Sequence, residues 1–293
     1  MLDPLAELAE HPLSRPFALR LQRRRQARNL AKLDAAGRPL VSVVMAARNA
    51  EATVTCALES LLAQSYGNLE IIVVNDASED GTAALVTQLM ARDPRISLIS
   101  LPTQQGAALA RNRGFERVTG NYICSHDADD RSRPDRIERQ LVFLMRDPRR
   151  MAAVCAYRRI DRAGRPLRVN GALHHRSNPS LLFRRDPVLE ELGGLAPMKR
   201  GEDSEYVARI TARYGRQARA LLYAPLLEAY FSPNSLLWSD SQVRQVGDNV
   251  VYDRSETAPT EAAKYEAWHQ SITLGTSSPF QPFRPDETAS DGR

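Results

Sequence analysis

Three carboxylates, Asp127, Asp129 and Asp130, stand within four residues, separated by two residues from the end of the run "NYIC". Like charges this close repel one another, and no turn requires all three. On an extended segment, residues two apart face the same way, so Asp127 and Asp129 would converge. Two convergent carboxylates offering only oxygen select a hard divalent cation, magnesium or manganese. Such an ion keeps water and completes its shell with substrate phosphates. The competing reading is a cap on a helix beginning at Pro134. Asp130 suits that role, or a salt bridge to a neighbouring arginine. His126 reads as a packed or hydrogen-bonded neighbour rather than a ligand.

Three further stretches carry chemistry-bearing side chains. In "VVNDASEDGT", Asp76 ends an apolar run, where a carboxylate can accept from a base imide N–H or a sugar hydroxyl. Asn, Asp, Ser and Gly are also turn formers, and Asp80 with Gly81 reads as a turn only. In "QGAALARNRGF", Gly106 permits close backbone approach, while Arg111 and Arg113 offer guanidinium forks suited to phosphate. A solvated basic helix face explains Arg113 equally well and Arg111 less well. In "KRGEDSEYVARI", Glu202 and Asp203 are either favourable acids at a helix N-terminus or a general base at a pocket mouth. Spacing alone leaves both open.

These stretches need elements to hold them. "PLVSVVMAA", "LEIIVV", "ISLISL" and "NYICS" read as buried strands, and helical spacing follows each of the first three. Strands alternating with helices predict βαβ units and an α/β fold with a mainly parallel central sheet flanked by helices. Ligands of such sheets bind beyond the carboxyl ends of the strands. The informative residues fall there, at 46–49, 75–80 and 127–130. Further on, strands are expected around 151–160, 181–184 and 220–231, with helices after Arg185 and from Glu202 to Gly215. Residues 1–38 read as a basic helical extension, 39–238 as the main domain, and 239–293 as a helical or irregular extension with a loosely docked tail.

Bulk properties set outer limits. The chain has 293 residues, 43% of them hydrophobic, enough for one large α/β domain. A formal net charge of +5 suits an anionic partner without choosing among nucleotide, nucleic acid and acidic membrane. Cys56, Cys124 and Cys155 are odd in number and widely spaced, so they read as reduced thiols in a cytosolic protein. No signal-peptide pattern or membrane-spanning apolar run is visible. The segment "PFALRLQRRRQARNLAKL" reads either as a solvated helix packing a few leucines on the main domain or as a basic face touching anionic lipid.

Taken together, "VSVVMAARNAE", "EIIVVNDASEDGT", "GAALARNRGF", "DADDRSRPDRIERQ", "LLFRRDPVLEELGGL" and "GEDSEYVARI" resemble, in this order, the family 2 glycosyltransferases of the GT-A fold. The resemblance runs from about Pro39 to Ser235. It implies a Rossmann-like α/β domain, a nucleotide-sugar donor that is usually UDP-linked, and a divalent metal, Mn2+ or Mg2+. It also implies inversion at the anomeric carbon, a glycan or glycolipid acceptor and no nucleic acid. In that pattern Ala46, Ala47, Arg48, Asn49 and Glu51 line the nucleoside pocket, and Asp76 meets the uracil ring. Arg111 takes a donor-side arginine position. "DAD" (Asp127, Ala128, Asp129) matches the DxD motif, whose acids meet ribose and metal–diphosphate. Asp203 matches the catalytic base, with Glu202 as its partner. Two departures stand out. "YFSPNSLLW" lacks the late histidine that often helps hold the metal or diphosphate, and Arg48 replaces a common aromatic.

Two other enzyme classes fit less well. A nucleotidyltransferase would need a Gly-rich phosphate loop after the first strand, and "AARNAEATV" has no glycine. A dinucleotide oxidoreductase would need GxGxxG, which is absent. A degenerate binding module is disfavoured by the retention of Asp127, Asp129 and Asp203.

Overall fold

The computed structural model describes residues 15–232, 241–254 and 261–283. Helix α1 (Arg15–Ala35) leads into β1 (Val41–Ala47). There follow α2 (Val54–Leu62), β2 (Leu69–Asn75), α3 (Thr82–Met90), β3 (Ile96–Ser100), α4 (Ala107–Phe115) and β4 (Tyr122–Ser125). These four strands lie parallel in the order β3-β2-β1-β4. Helices cover both faces of β1, so its β-branched run is buried on both sides: Val41, Val43 and Met45 pack into one core, Val44 into the other.

The mainly parallel sheet expected from the sequence is present, and in the second half it becomes mixed. After β5 (Asp130–Ser132) and α5 (Arg136–Met145) come β6 (Ala152–Ile160), β7 (Pro166–Val169) and β8 (His175–Arg184). Strand β8 is antiparallel to both β4 and β6. Then follow α6 (Arg185–Leu192), α7 (Glu202–Tyr214) and β9 (Arg219–Tyr230), the last parallel to β6. Hairpin β10 (Ser241–Val246) and β11 (Asn249–Arg254) extends the sheet through β7, and α8 (Glu261–Thr273) follows.

Three expectations need correction. The helix expected from Pro134 starts at Arg136, and Asp135 stands at its N-cap position. Asp130 is therefore no cap; it opens β5 opposite Ala229. The weakly patterned C-terminal stretch holds a hairpin as well as a helix. Its end is docked as far as 283: the Gln281 amide donates to the Leu192 carbonyl at 2.8 Å, and the Gln281 carbonyl accepts from the Gly194 amide at 2.8 Å. The tail from 284 onward, and 233–240 with most of "YFSPNSLLW", lie outside the described residues.

Helix α1 packs its inner face on α5. Leu33 is buried in the core with Leu30 beside it, and the Asn29 amide donates to Glu138 at 3.3 Å. Burying one such leucine contributes about 1.5–3 kcal/mol, enough to seat the helix. Among the described residues no helix is long and apolar enough to cross a membrane.

Candidate active site

The loops after β1 and β2 are sewn together at the carboxyl end of the sheet. Arg48 donates to the carbonyls of Asp76 and Ala77, both at 2.8 Å. Asn49 takes a left-handed backbone (φ 47°), and its side chain accepts from the Glu79 amide at 2.9 Å. Asp80 is more than a turn residue: it accepts from the Glu51 and Thr82 amides, each at 3.0 Å. Glu51 in turn accepts from the Gly81 amide at 3.1 Å. The Ala47 carbonyl accepts from the Asp76 amide at 2.9 Å, and Ala46 is half-buried beside it. The five residues 46, 47, 48, 49 and 51 thus form one rigid rim. Arg48, where an aromatic was the family norm, serves as its stitch.

Asp76 is buried, and its carboxylate accepts from the amides of Gln105 at 2.6 Å and Gly106 at 2.8 Å. It anchors the entry to α4, leaving each oxygen a second lone pair for a ligand. Gly106 has φ 91° and open space around a notional Cβ. Backbone conformation, not crowding by the protein, therefore explains the glycine. Closer packing falls at Gly114, where a Cβ would meet Val44 at 2.4 Å. That glycine lets α4 lie close on the sheet and brings Arg111 inward.

Arg111 is the centre of the site. The residue is 3% exposed. Nη1 donates to Glu202 at 2.6 Å and lies 3.9 Å from Asp203, while Nη2 pairs closely with Asp127. The third and fourth stretches of the sequence thereby meet the first. Asp127 finds its counter-charge in this arginine, and the extended geometry expected for residues 127–130 is replaced by a turn. The Asp130 amide closes that turn on the Asp127 carbonyl at 3.2 Å. Asp129 sits at the turn's exposed tip, and Ala128 is buried beneath it. Both acids of the α7 start lie in its first turn, where the helix dipole favours them, and both face Arg111. The two readings left open for Glu202 and Asp203 are therefore compatible.

Negative charge exceeds positive charge here. Burial pushes the Asp203 carboxyl up to about 7; Arg111 opposes the shift, and Glu202 and Asp127 add to it. Although Asp129 is exposed on its outer side, protein packed around its inner side partly desolvates it, and this, then Asp127, holds it above the ordinary carboxylate range. Burial, then Asp127 and Asp129, holds Asp130 well above it. Oδ1 of Asp203 and Nε of Arg111 are buried without a hydrogen-bond partner among the described residues. His126 is buried and neutral: burial and then Arg136 lower it to about 3, and its Nδ1 lies 2.7 Å from the Asp127 carbonyl. It is a packed neighbour, as expected.

Several supports had no legible signal. Arg136, fully buried, donates to the Ser125 carbonyl at 2.9 Å and to Ser132 at 2.9 Å, bracing the acidic turn from below. Arg159 reaches the same turn from β6; its charge lowers Asp129 and Asp130. Asn178 of β8 donates to Ser204, next to Asp203, at 2.8 Å. Arg113 pairs with Glu116 at 3.8 Å on the outer face of α4. Arg184 and Arg185 bind Tyr122 and the Thr119 carbonyl at the opposite end of β4 from Asp127. Arg176, two residues before Asn178, stays on the site's end and is exposed.

An excess of buried and clustered carboxylate, with Asp129 outermost, fits a hard divalent cation. Among the described residues no group of three or more His, Cys, Asp or Glu side chains is arranged as a ligand set. The donor chemistry is that of an ion held by one or two carboxylates and completed by substrate oxygen.

This sheet, with acids after β4 and at the start of α7, is a GT-A glycosyltransferase fold. Similar solved structures include Staphylococcus aureus TarS in complex with UDP (TM-score 0.54, 19% identity, 66% of this chain and 61% of that one). Another is the mannosyltransferase PcManGT of Pyrobaculum calidifontis in complex with GDP-Man and Mn2+ (TM-score 0.52, 20% identity, 68% and 58%). The family model "Glycosyl transferase family 2" matches residues 42–200, more than half of the chain, and the chain belongs to that family. Curated relatives include the putative teichuronic acid biosynthesis glycosyltransferase TuaG of Bacillus subtilis, 40% identical over 37% of this chain and 43% of that protein. The Escherichia coli enzyme WfgD, a UDP-Glc:alpha-D-GlcNAc-diphosphoundecaprenol beta-1,3-glucosyltransferase, is 34% identical over 37% and 42%. The matched stretch spans about two-fifths of the length of these relatives.

Proposed function

We propose that this protein transfers a sugar from a UDP-linked donor to an acceptor hydroxyl on a growing, lipid-linked glycan, with inversion at the anomeric carbon. The observation that carries the reading is the Arg111 cluster. It joins the acids after β4 to the first turn of α7 beyond the carboxyl ends of the parallel strands, and it leaves Asp203 with a raised pKa and a free oxygen. The nucleoside lies against the rim at 46–51, with Asp76 meeting the base. Asp203 accepts the proton of the attacking hydroxyl. A carboxyl poised near neutrality suits that task, because it is ionised often enough to act and basic enough to take the proton. One carboxylate placed as base, with attack opposite the leaving group, is the chemistry of a single inverting displacement. Glu202 holds Arg111, and Arg111 holds Asp127 toward the donor.

Asp129, with Asp127 behind it, would hold Mn2+ or Mg2+, which when bound offsets the charge of the departing diphosphate. The donor class is supported by the UDP complex of TarS, and the acceptor class by the diphosphoundecaprenol-linked acceptor in the name of WfgD. Such an acceptor would suit a protein working in the cytoplasm, against the inner face of the membrane. Arg176, exposed beside the α7 start, suits the acceptor's diphosphate.

Incubating the protein with UDP-sugars and manganese should release UDP, faster with a lipid-diphosphate acceptor. No UDP release from any UDP-sugar would refute the reading. By calorimetry Asp129→Ala should lose most of the manganese-dependent part of UDP affinity. Equal affinities with and without the ion, in both proteins, would remove Asp129 from the metal role.

A further inference from the structure

Helix α1 presents a gently winding cationic stripe to solvent. Arg20, Arg24, Arg28 and Lys32 recur every four residues and are all exposed, and Arg23 flanks them. Residues at this spacing stack along one face of a helix. The helix carries seven basic residues and one acid, Asp34 near its end. Among the described residues no carboxylate pairs with any of these five cations. The opposite face, with Asn29, Leu30 and Leu33, is committed to the protein.

The stripe's direction relates it to the active site. Arg25 meets Asp135 at 3.4 Å and Asn29 meets Glu138 at 3.3 Å, so α1 and α5 run the same way. The first turn of α5 lies at the carboxyl end of β4, where Arg136 donates to the Ser125 carbonyl. The ten helical residues before Arg25 therefore rise about 15 Å past that turn, at 1.5 Å per residue, on the end of the sheet that holds Asp127 and Asp203. Arg20, Arg23 and Arg24 lie on this rising part.

From these placements we infer that α1 adsorbs lengthwise on an anionic lipid surface through Arg20, Arg23, Arg24, Arg28 and Lys32, holding the active-site end of the sheet close beside the membrane. Attraction is electrostatic, carried by the exposed cations, while Leu30 and Leu33 are committed to the core. It therefore weakens with salt. Each basic residue near such a surface adds about fivefold to partitioning, so the four at this spacing supply roughly several hundredfold and Arg23 raises this to about three-thousandfold. The described exposed face holds no aromatic side chain to stack on bases, which favours lipid over nucleic acid. The choice of lipid also rests on the lipid-linked acceptor proposed above.

The test is sedimentation of the full chain with vesicles of phosphatidylcholine alone, or of phosphatidylcholine with phosphatidylglycerol. The protein should sediment with the anionic vesicles at low salt, stay free with the neutral ones, and be released by high salt. Replacing Arg20, Arg24, Arg28 and Lys32 together by Gln, which keeps helix propensity, should lower anionic-vesicle binding at least about a hundredfold and leave donor turnover in vesicle-free solution unchanged. Wild-type protein that ignores anionic vesicles would overturn the inference. So would a variant that binds them normally, or wild-type protein that prefers a duplex oligonucleotide to vesicles. Vesicle binding is read without turnover, so failure of this inference and failure of the transferase reading are seen separately.

Discussion

Two buried arginines serve the same helix in opposite ways. Arg209, in the middle of α7, forks onto Glu205 at 2.9 and 2.8 Å. Its remaining N–H groups reach the carbonyls of Leu192 at 2.7 Å, Gly194 at 2.8 Å and Pro279 at 3.3 Å. Its flat faces meet Tyr206 and Trp268. One cation answers one carboxylate, and all five donors are used. Arg111, reaching from α4 to the start of the same helix, faces three carboxylates, and among the described residues its Nε and one oxygen of Asp203 have no partner. A saturated network holds the scaffold. An unsaturated one costs stability and leaves groups free for a ligand.

The sharpest way to break this contrast is at Asp203. Asp203→Asn should lower sugar transfer by about a hundred- to ten-thousandfold, equivalent to about 3–5.5 kcal/mol in the barrier, with UDP affinity retained. Near-normal turnover would refute the base assignment. Next comes Arg209→Met, which leaves Glu205 buried without its partner. It should cost about 3–5 kcal/mol in urea unfolding; a loss below about 1 kcal/mol would show that the saturated network is not what holds α7.

The third effect has the opposite sign. The Asp203 carboxyl titrates near 7 in the fold against an ordinary value of 3.8. Between those values the folded chain holds a proton that the unfolded chain has released. Its contribution to stability is present below about pH 4 and is lost as pH rises through 7. Asn cannot ionise, so Asp203→Asn should be more stable than wild type, by an amount that grows across this window to about 2–4 kcal/mol in metal-free buffer. Melting curves at pH 4.5 and 7.5 give the comparison. A constant offset between the two proteins would mean that Asp203 ionises without penalty.

Much of the unsaturated site was legible in sequence because its residues follow strands. Strand ends in a parallel sheet deliver side chains to one crevice, so Asp76 and Asp127 could be named without coordinates; Asp203 opens a helix, and only the family resemblance singled it out. What joins them was not legible. The pairing of Arg111 with Asp127 and Glu202 links residues 16 and 91 apart, and no local pattern encodes it. The turn at 127–130 was misjudged because one backbone hydrogen bond decides between extended and folded geometry, and both suit Asp. The saturated network left no trace at all. Glu205 and Arg209 look like an ordinary surface i, i+4 pair until the C-terminal segment covers them.

That cover supplies the smallest and most discriminating test. His269 of α8 lies 3.0 Å from Glu205, and Trp268 lies against Arg209, so the C-terminal segment closes over the back of the helix whose front carries Asp203. If the two networks are separate in function, His269→Ala removes one hydrogen bond from an otherwise satisfied cluster. It should cost about 1 kcal/mol, roughly 2 °C in a chain of this size, and leave turnover within about twofold, a change worth less than 0.5 kcal/mol. If instead the brace sets the angle of α7, turnover falls tenfold or more while UDP affinity holds, because a small misplacement of a base weighs on the reacting geometry more than on ground-state binding. The first outcome keeps the division between scaffold and site along α7. The second makes the C-terminal extension part of the catalytic apparatus.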